Sequence, residues 1–184
     1  MHTLLIILLA LASFIIMLLV TALFITKSFH IECEIIINKP RQVVFDYIKF
    51  TKNQQYYNKW WMIDPDAKKT YFGKDGTIGF IASWDSQNKQ AGKGEQEIVK
   101  VSDGQLISYQ IRFKKPFESV AASYLITTST QNDQTLVKWG FNGTNKYPIN
   151  LMFALLNFRK MLGNEINGSL EILRTILEAD TPGK

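Results

Sequence analysis

Chemistry that needs a base, a nucleophile or a metal ligand has few residues to draw on in this chain. Beyond the first 27 residues His30 is the sole histidine, and Cys33 is the sole cysteine anywhere. A histidine-built or cysteine-rich metal site is therefore out of reach within one chain, and so is an internal disulfide. In FHIECEIIIN, alternation assigns Ile31, Cys33, Ile35 and Ile37 to one face of a strand, and His30 reads as an interfacial or edge residue rather than a general base. Asp85, Glu95 and Glu97 are the carboxylates of the central region. Glu95 and Glu97 stand two apart and share a strand face, the spacing of a solvated edge pair more than of an acid and base at work. The glycine-rich stretches GKDGTIG and AGKGE precede strands rather than helices, so neither cradles a phosphate. No catalytic residue, metal or cofactor is assigned.

Rings are the richer resource. At strand spacing Phe80, Trp84, Tyr109, Phe113, Tyr124, Trp139 and Phe141 are expected to project toward one volume, more ring than a small core needs. With Leu162 and Ile166 from a late helix, and Trp61 at its lip, they form the expected lining of an apolar small-molecule site. The same rings closing into a solid core are the alternative. The stretch VFDYIKFTKNQQYYNKWWMIDP, from Val44 to Pro65, carries Val44, Tyr47 and Ile48, then Tyr56 and Trp60, at helical spacing. Neighbouring helical residues point about 100° apart. Trp60 is accordingly expected in the core, with Trp61 and Met62 at the rim of the volume.

The elements that must position these side chains follow from periodicity and turn chemistry. Pro40 opens a helix over Arg41–Phe50. Strand character recurs over Lys69–Phe72, Thr77–Trp84, Gly92–Val101, Leu106–Phe113, Ser119–Thr128 and Thr135–Phe141. Asp75-Gly76, Asn88, Asp103-Gly104 and Asn132-Asp133 fall between them, as hairpins require. The expected inner faces are Ile78, Phe80, Ala82 and Trp84; Ile107, Tyr109, Ile111 and Phe113; Val120, Ala122, Tyr124 and Ile126; and Val137, Trp139 and Phe141. Gln110, Arg112, Ser123, Thr127 and Lys138 are expected outside. From Pro148 to Glu178 a stripe of Leu155, Leu162, Ile166, Leu170, Leu173 and Leu177 marks one long amphipathic helix, with Gly163 and Gly168 as a kink or a close approach.

The N-terminus is of another kind. From Leu4 to Ile25 no Asp, Glu, Lys or Arg occurs, a run long enough to cross a bilayer. A cleaved signal peptide is the rival reading, but Met1-His2-Thr3 lacks its basic start. Lys27, Lys39, Arg41, Lys49 and Lys52 follow the run, which places the domain on the cytoplasmic side of a single-pass membrane protein. The formal net charge of the 184 residues is +5. Its lysines are scattered without an arginine and aromatic stripe, so anionic lipid is the expected partner rather than nucleic acid. Oligomeric state is left unassigned.

Several stretches resemble the START-like, helix-grip superfamily, also called SRPBCC or polyketide cyclase/dehydrase. Asn38-Lys39-Pro40 with Val43, Val44 and Phe45 resembles its opening helix, and Asn58-Lys59-Trp60 its helix-ending tryptophan. Gly92-Lys93-Gly94-Glu95 is similar to its G-x-G strand and Val137-Lys138-Trp139 to its late strand. Gly163 through Ser169-Leu170, Leu173, Arg174 and Glu178 resembles its closing helix. The resemblance runs from Phe29 to Glu178. It implies an α+β fold, a curved antiparallel sheet of about seven strands around a long C-terminal helix, enclosing a cavity that in many members takes a lipid, sterol or polyketide. One N-terminal transmembrane helix precedes it. The expected organisation is an anchor over 1–27, the domain over 28–180 and a tail over 181–184. Three readings result: a membrane-anchored binder of an apolar molecule, a tethered interaction or stress-related module with a filled core, and a polyketide cyclase-like enzyme, the last without a group to carry it.

Overall fold

A computed structural model describes residues 2–179; the expected tail at 181–184 and the expected domain end at 180 lie outside them. Helix α1, His2–Phe24, is apolar on all sides and almost wholly exposed. Strand β1, Ser28–Ile37, follows, and Pro40, which has no backbone N–H to leave unpaired, starts α2, Arg41–Ile48. A turn at Thr51–Asn53 leads into two single-turn helices, α3 at Gln54–Tyr57 and α4 at Lys59–Met62. Then come β2, Lys68–Phe72; β3, Ile81–Asp85; β4, Lys93–Ser102; β5, Leu106–Lys115; β6, Ser119–Ser129; and β7, Thr135–Thr144. Helices α5, Ile149–Leu155, and α6, Phe158–Ala179, complete the chain.

The strands form one antiparallel sheet in the order β1-β7-β6-β5-β4-β3-β2. It bends around α6, helped by register shifts where β4 passes β5 at Lys93/Gly94 and Ile98/Lys100, since an unpaired extra residue kinks a strand. On α6 the residues Leu162, Ile166, Leu170, Leu173 and Leu177 are buried against the concave face, as the stripe requires.

Three expectations are corrected. The helical stripe is broken: Asn157 has φ 49, a left-handed conformation, so α5 and α6 are separate and Leu155 is exposed instead of continuing the buried row. β3 begins only at Ile81, leaving Ile78 exposed before it. β6 is turned over: Ala121, Ser123, Leu125 and Thr127 are buried, while Val120, Ala122, Tyr124 and Ile126 are on the convex side.

Tyr124 has its own reason to be there. It pairs with Gly140 of β7, which pairs in turn with Glu32 of β1, and the tyrosine ring lies over the glycine to donate its hydroxyl to the Glu32 carboxylate. A Cβ on Gly140 would overlap that ring. Partial burial, then the carboxylate bond, push the Tyr124 phenol up to about 12. Gly140→Ala should therefore destabilise the domain by about 1–3 kcal/mol, the usual cost of overfilling. Thermal unfolding checks this, and the double variant Gly140→Ala/Tyr124→Ala should recover part of the loss.

Candidate functional site

The concave face is the only surface on which most of the expected lining meets. Trp61, Phe80, Tyr109, Trp139, Leu162 and Ile166 belong to its buried core, and Trp84, Phe113 and Phe141 are half-buried against that core. Tyr124 is on the far side of the sheet and takes no part. The two tryptophans exchange their expected roles: Trp61 is buried and Trp60 half-buried, while Met62 is exposed as expected. The cause is Asn58, whose extended backbone separates α3 from α4 and resets the helical phase. Its side chain holds that break, accepting from the Trp60 N–H at 3.1 Å and donating to Gln54 at 3.0 Å.

Burial along the concave face runs in one direction. On β5 exposure rises from 0% at Ile107 through 2% at Tyr109 to 8% at Ile111, and Phe113 is half-buried. On β7 the same sequence is Val137, Trp139 and a half-buried Phe141; on β1 it is Ile37, Ile35, then half-buried Cys33, Ile31 and Phe29. Antiparallel pairing puts Phe29, Phe141, Phe113 and Trp84 at the same end of the sheet. That end is also where α1 joins β1. The domain thus has a closed end under α2 and a looser, ring-lined mouth beside the apolar helix.

Rings define the mouth. Trp84 meets Trp61 at 6.1 Å and Phe113 edge-on at 6.0 Å, and its indole N–H is satisfied by the Ala91 carbonyl at 2.9 Å. Across the sheet Phe29 stacks on Phe141 at 6.1 Å and meets Phe158 edge-on at 5.5 Å; Phe158 meets Phe153 at 4.5 Å. A concavity of about 260 Å³ opens beside Phe29 and Phe158, with Ile25, Phe153 and Ala154 also in its wall and six polar residues, Asn150 and Arg159 among them; none of the expected lining residues borders it. Phe29 shared the period of Ile31 and Cys33 and could have been read from it. Phe158, four residues before Leu162, was in phase with the stripe and could have been read as well, whereas Phe153 was hidden by running one helical phase across Asn157.

Deeper in, Trp139 meets Tyr57 edge-on at 5.9 Å, and its N–H donates to Ser123 Oγ at 3.0 Å, which donates to the Gly140 carbonyl at 3.0 Å. The Tyr57 hydroxyl ends inside the core without a hydrogen-bond partner among the described residues, the Tyr109 hydroxyl lies against Thr51 and Gln54, and burial pushes both phenols up. Cys33 faces α6, its thiol near the Gly163 carbonyl at 3.6 Å, and burial raises its pKa, the opposite of an activated thiol. Gly163 is uncrowded, whereas Gly168 lets Lys59 of α4 cross α6, where Lys59 pairs with Glu165 at 3.0 Å.

The carboxylates are elsewhere. Glu95 and Glu97 bracket Arg112 on the convex face at 3.2 and 2.6 Å, and Lys114 adds a bond to Glu95 at 2.6 Å. Asp85 pairs with Lys93, and His30 contacts the Asn142 side chain on the outer edge. Lys114, then Arg112, hold the Glu95 carboxyl below its ordinary value, as Tyr124 and then Lys138 do for Glu32.

No family model matches the chain, and no curated protein does. Solved structures do. Norcoclaurine synthase from Thalictrum flavum aligns with a TM-score of 0.66 at 11% identity, over 85% of this chain and 98% of that one. The same enzyme in complex with dopamine and hydroxybenzaldehyde aligns at 0.63. CalU16 from Micromonospora echinospora gives 0.54 at 10% identity, over 82% and 76%. The di-domain ARO/CYC StfQ from the steffimycin biosynthetic pathway gives 0.61 at 13%, over 83% of this chain and 51% of that one. These likenesses show a helix-grip fold, with an apolar N-terminal helix in front of it.

Trp139→Ala should cost about 3–5 kcal/mol in denaturant unfolding, because its neighbours are packed on every side. Lys138→Ala, on the convex face, should cost under about 1 kcal/mol. The depressed Glu32 and Glu95 carboxyls stabilise the fold above their ordinary value of 4.5, and that contribution is lost as pH falls through their lower folded values. Melting temperature should hold from neutrality to about pH 5 and decline below it, less steeply in Glu95→Gln.

Proposed function

We propose that this protein is a membrane-tethered helix-grip domain that takes an apolar small molecule or lipid through the ring-lined mouth beside α1. The carrying observation is the one-way gradient of burial on the concave face, which leaves Phe29, Trp84, Phe113, Phe141 and Phe158 half-buried while the closed end is fully covered. Small-molecule sites combine rings with placed polar groups, and the concavity has Phe29, Phe153 and Phe158 beside Asn150 and Arg159. Helix α1 supports the tether: it has the length and composition of a membrane span, and the lysines after it favour a cytoplasmic domain. A solved structure of similar fold holds dopamine and hydroxybenzaldehyde, which fits binding of small ring-bearing molecules.

A filled-core interaction module is the second reading, favoured by the depth to which Trp61, Tyr109 and Trp139 are buried. A catalytic role has less support, since Glu95, Glu97 and Arg112 face away from the mouth and the Cys33 thiol is deactivated. The full chain, extracted in mild detergent and sprayed intact for native mass spectrometry, distinguishes the first two. A binder should carry a copurifying lipid-sized mass, reduced about threefold or more by Phe141→Ala at unchanged fold, since a half-buried wall residue contributes more to the pocket than to the core. Bare protein in every preparation supports the filled module.

A further inference from the structure

We propose that α5 and the first turn of α6 form a second membrane contact, lying in the headgroup layer and setting the domain down mouth-first on the bilayer; this rests on the reading of α1 as an anchor. Continuity with α1 is the first observation. As a helix α1 is about 34 Å long, slightly more than the roughly 30 Å of a hydrocarbon core, so Ala22 and Ile25 fall at its boundary. The buried Asn150 of α5 donates to both of their carbonyls, at 2.7 and 3.1 Å. Those are carbonyls that the end of α1 leaves without helical partners. α5 is thereby fixed at the level where the chain leaves the membrane, whichever way the domain turns.

The outward face of α5 is the second. Met152, Leu155 and Leu156, at positions i, i+3 and i+4, are exposed together, Leu155 at 74% and Leu156 at 66%. Met161 on α6 and Phe24 at the end of α1, the two helices that α5 contacts, are exposed as well. A soluble surface rarely leaves so many large side chains in water at one place. Their opposite face is used: Asn150 is buried, and Phe153 meets Phe158. Six of the seven residues of α5 are apolar, and the domain covers only part of their surface.

Charge identifies the partner as lipid. Residues 1–31 and 142–164 contain no Asp or Glu, while Lys27, Lys146, Arg159 and Lys160 flank the apolar face. Arg159 reaches back to the Ser28 carbonyl at 3.1 Å, joining α6 to the root of β1. A basic rim around an apolar helix suits anionic headgroups over acyl chains. In this pose the mouth opens toward the membrane, so an apolar ligand passes from lipid to protein without crossing water.

The test uses the full chain in a Cys33→Ser background, with an environment-sensitive fluorophore placed singly by Leu9→Cys, Leu155→Cys, Leu156→Cys or Phe72→Cys. The protein is reconstituted into vesicles of phosphatidylcholine with phosphatidylglycerol, with and without brominated acyl chains. Labels at 9, 155 and 156 should be quenched at least about threefold more than the label at 72, with 155 and 156 shallower than 9, the depth of an interfacial helix. Quenching at 9 with 155 and 156 as water-exposed as 72 overturns the second contact and leaves the anchor standing. A label at 9 that escapes quenching overturns the anchor and the second contact with it.

Discussion

Everything in this domain depends on one geometrical demand: a sheet with a single apolar face must be covered, and α6 is the element long enough to cover it. The stripe from Leu162 to Leu177 does so against Ile37, Val137, Leu125, Ile107 and Ile98, all of them buried. Antiparallel sheets can leave their other face in water, and here that face holds the ion pairs around Arg112 and Lys138. A straight helix cannot follow a curved sheet equally along its length. Contact is closest where α2 also caps the sheet, and it loosens toward the N-terminal end of α6, where the rings of the mouth take over from aliphatic packing.

Much of this was legible in the sequence, because alternation in β1, β5 and β7 and the helical stripe of α6 are strong signals that tertiary contacts reinforce. β6 misleads for a physical reason. Its inner face has to fit beneath Tyr109 and Trp139, so it carries the small and hydroxylated residues Ala121, Ser123 and Thr127 around a single Leu125. Ser123 accepts from the Trp139 indole and Thr127 donates to the Gly104 carbonyl, so both are satisfied inside. Its outer face, with Val120, Tyr124 and Ile126, reads as the more apolar of the two. A period-two pattern gives the alternation but not the sign when large residues opposite demand small ones.

The other misreadings share a cause, which is loss of helical phase at an asparagine. Asn58 ends one turn of helix and caps the next, rotating Trp61 inward at the expense of Trp60. Asn157, in the left-handed region, ends α5 and starts α6 on a new face, which exposes Leu155 and turns Phe158 toward Phe29. Asparagine is one of the few residues that tolerates both roles, yet the same residue occurs in ordinary helices, so the break shows only once the two faces are seen to be buried against different partners.

The looseness of the mouth and its place in the chain are connected. Local opening costs least where few apolar contacts are buried, and on the concave face that is the end shared by Phe29, Phe113, Phe141 and Phe158. Opening at the other end would expose Phe45, Ile48, Leu173 and their neighbours, which are buried completely. A domain stabilised mainly at its closed end can therefore admit a molecule between sheet and helix without approaching global unfolding. The only surroundings in which half-buried rings at the open end incur little penalty are apolar ones, and the chain carries α1 at that same end. With α1 in a membrane, as proposed, lipid nearby would lower the cost of leaving those rings uncovered, and the gradient of burial would run in the direction that this favours.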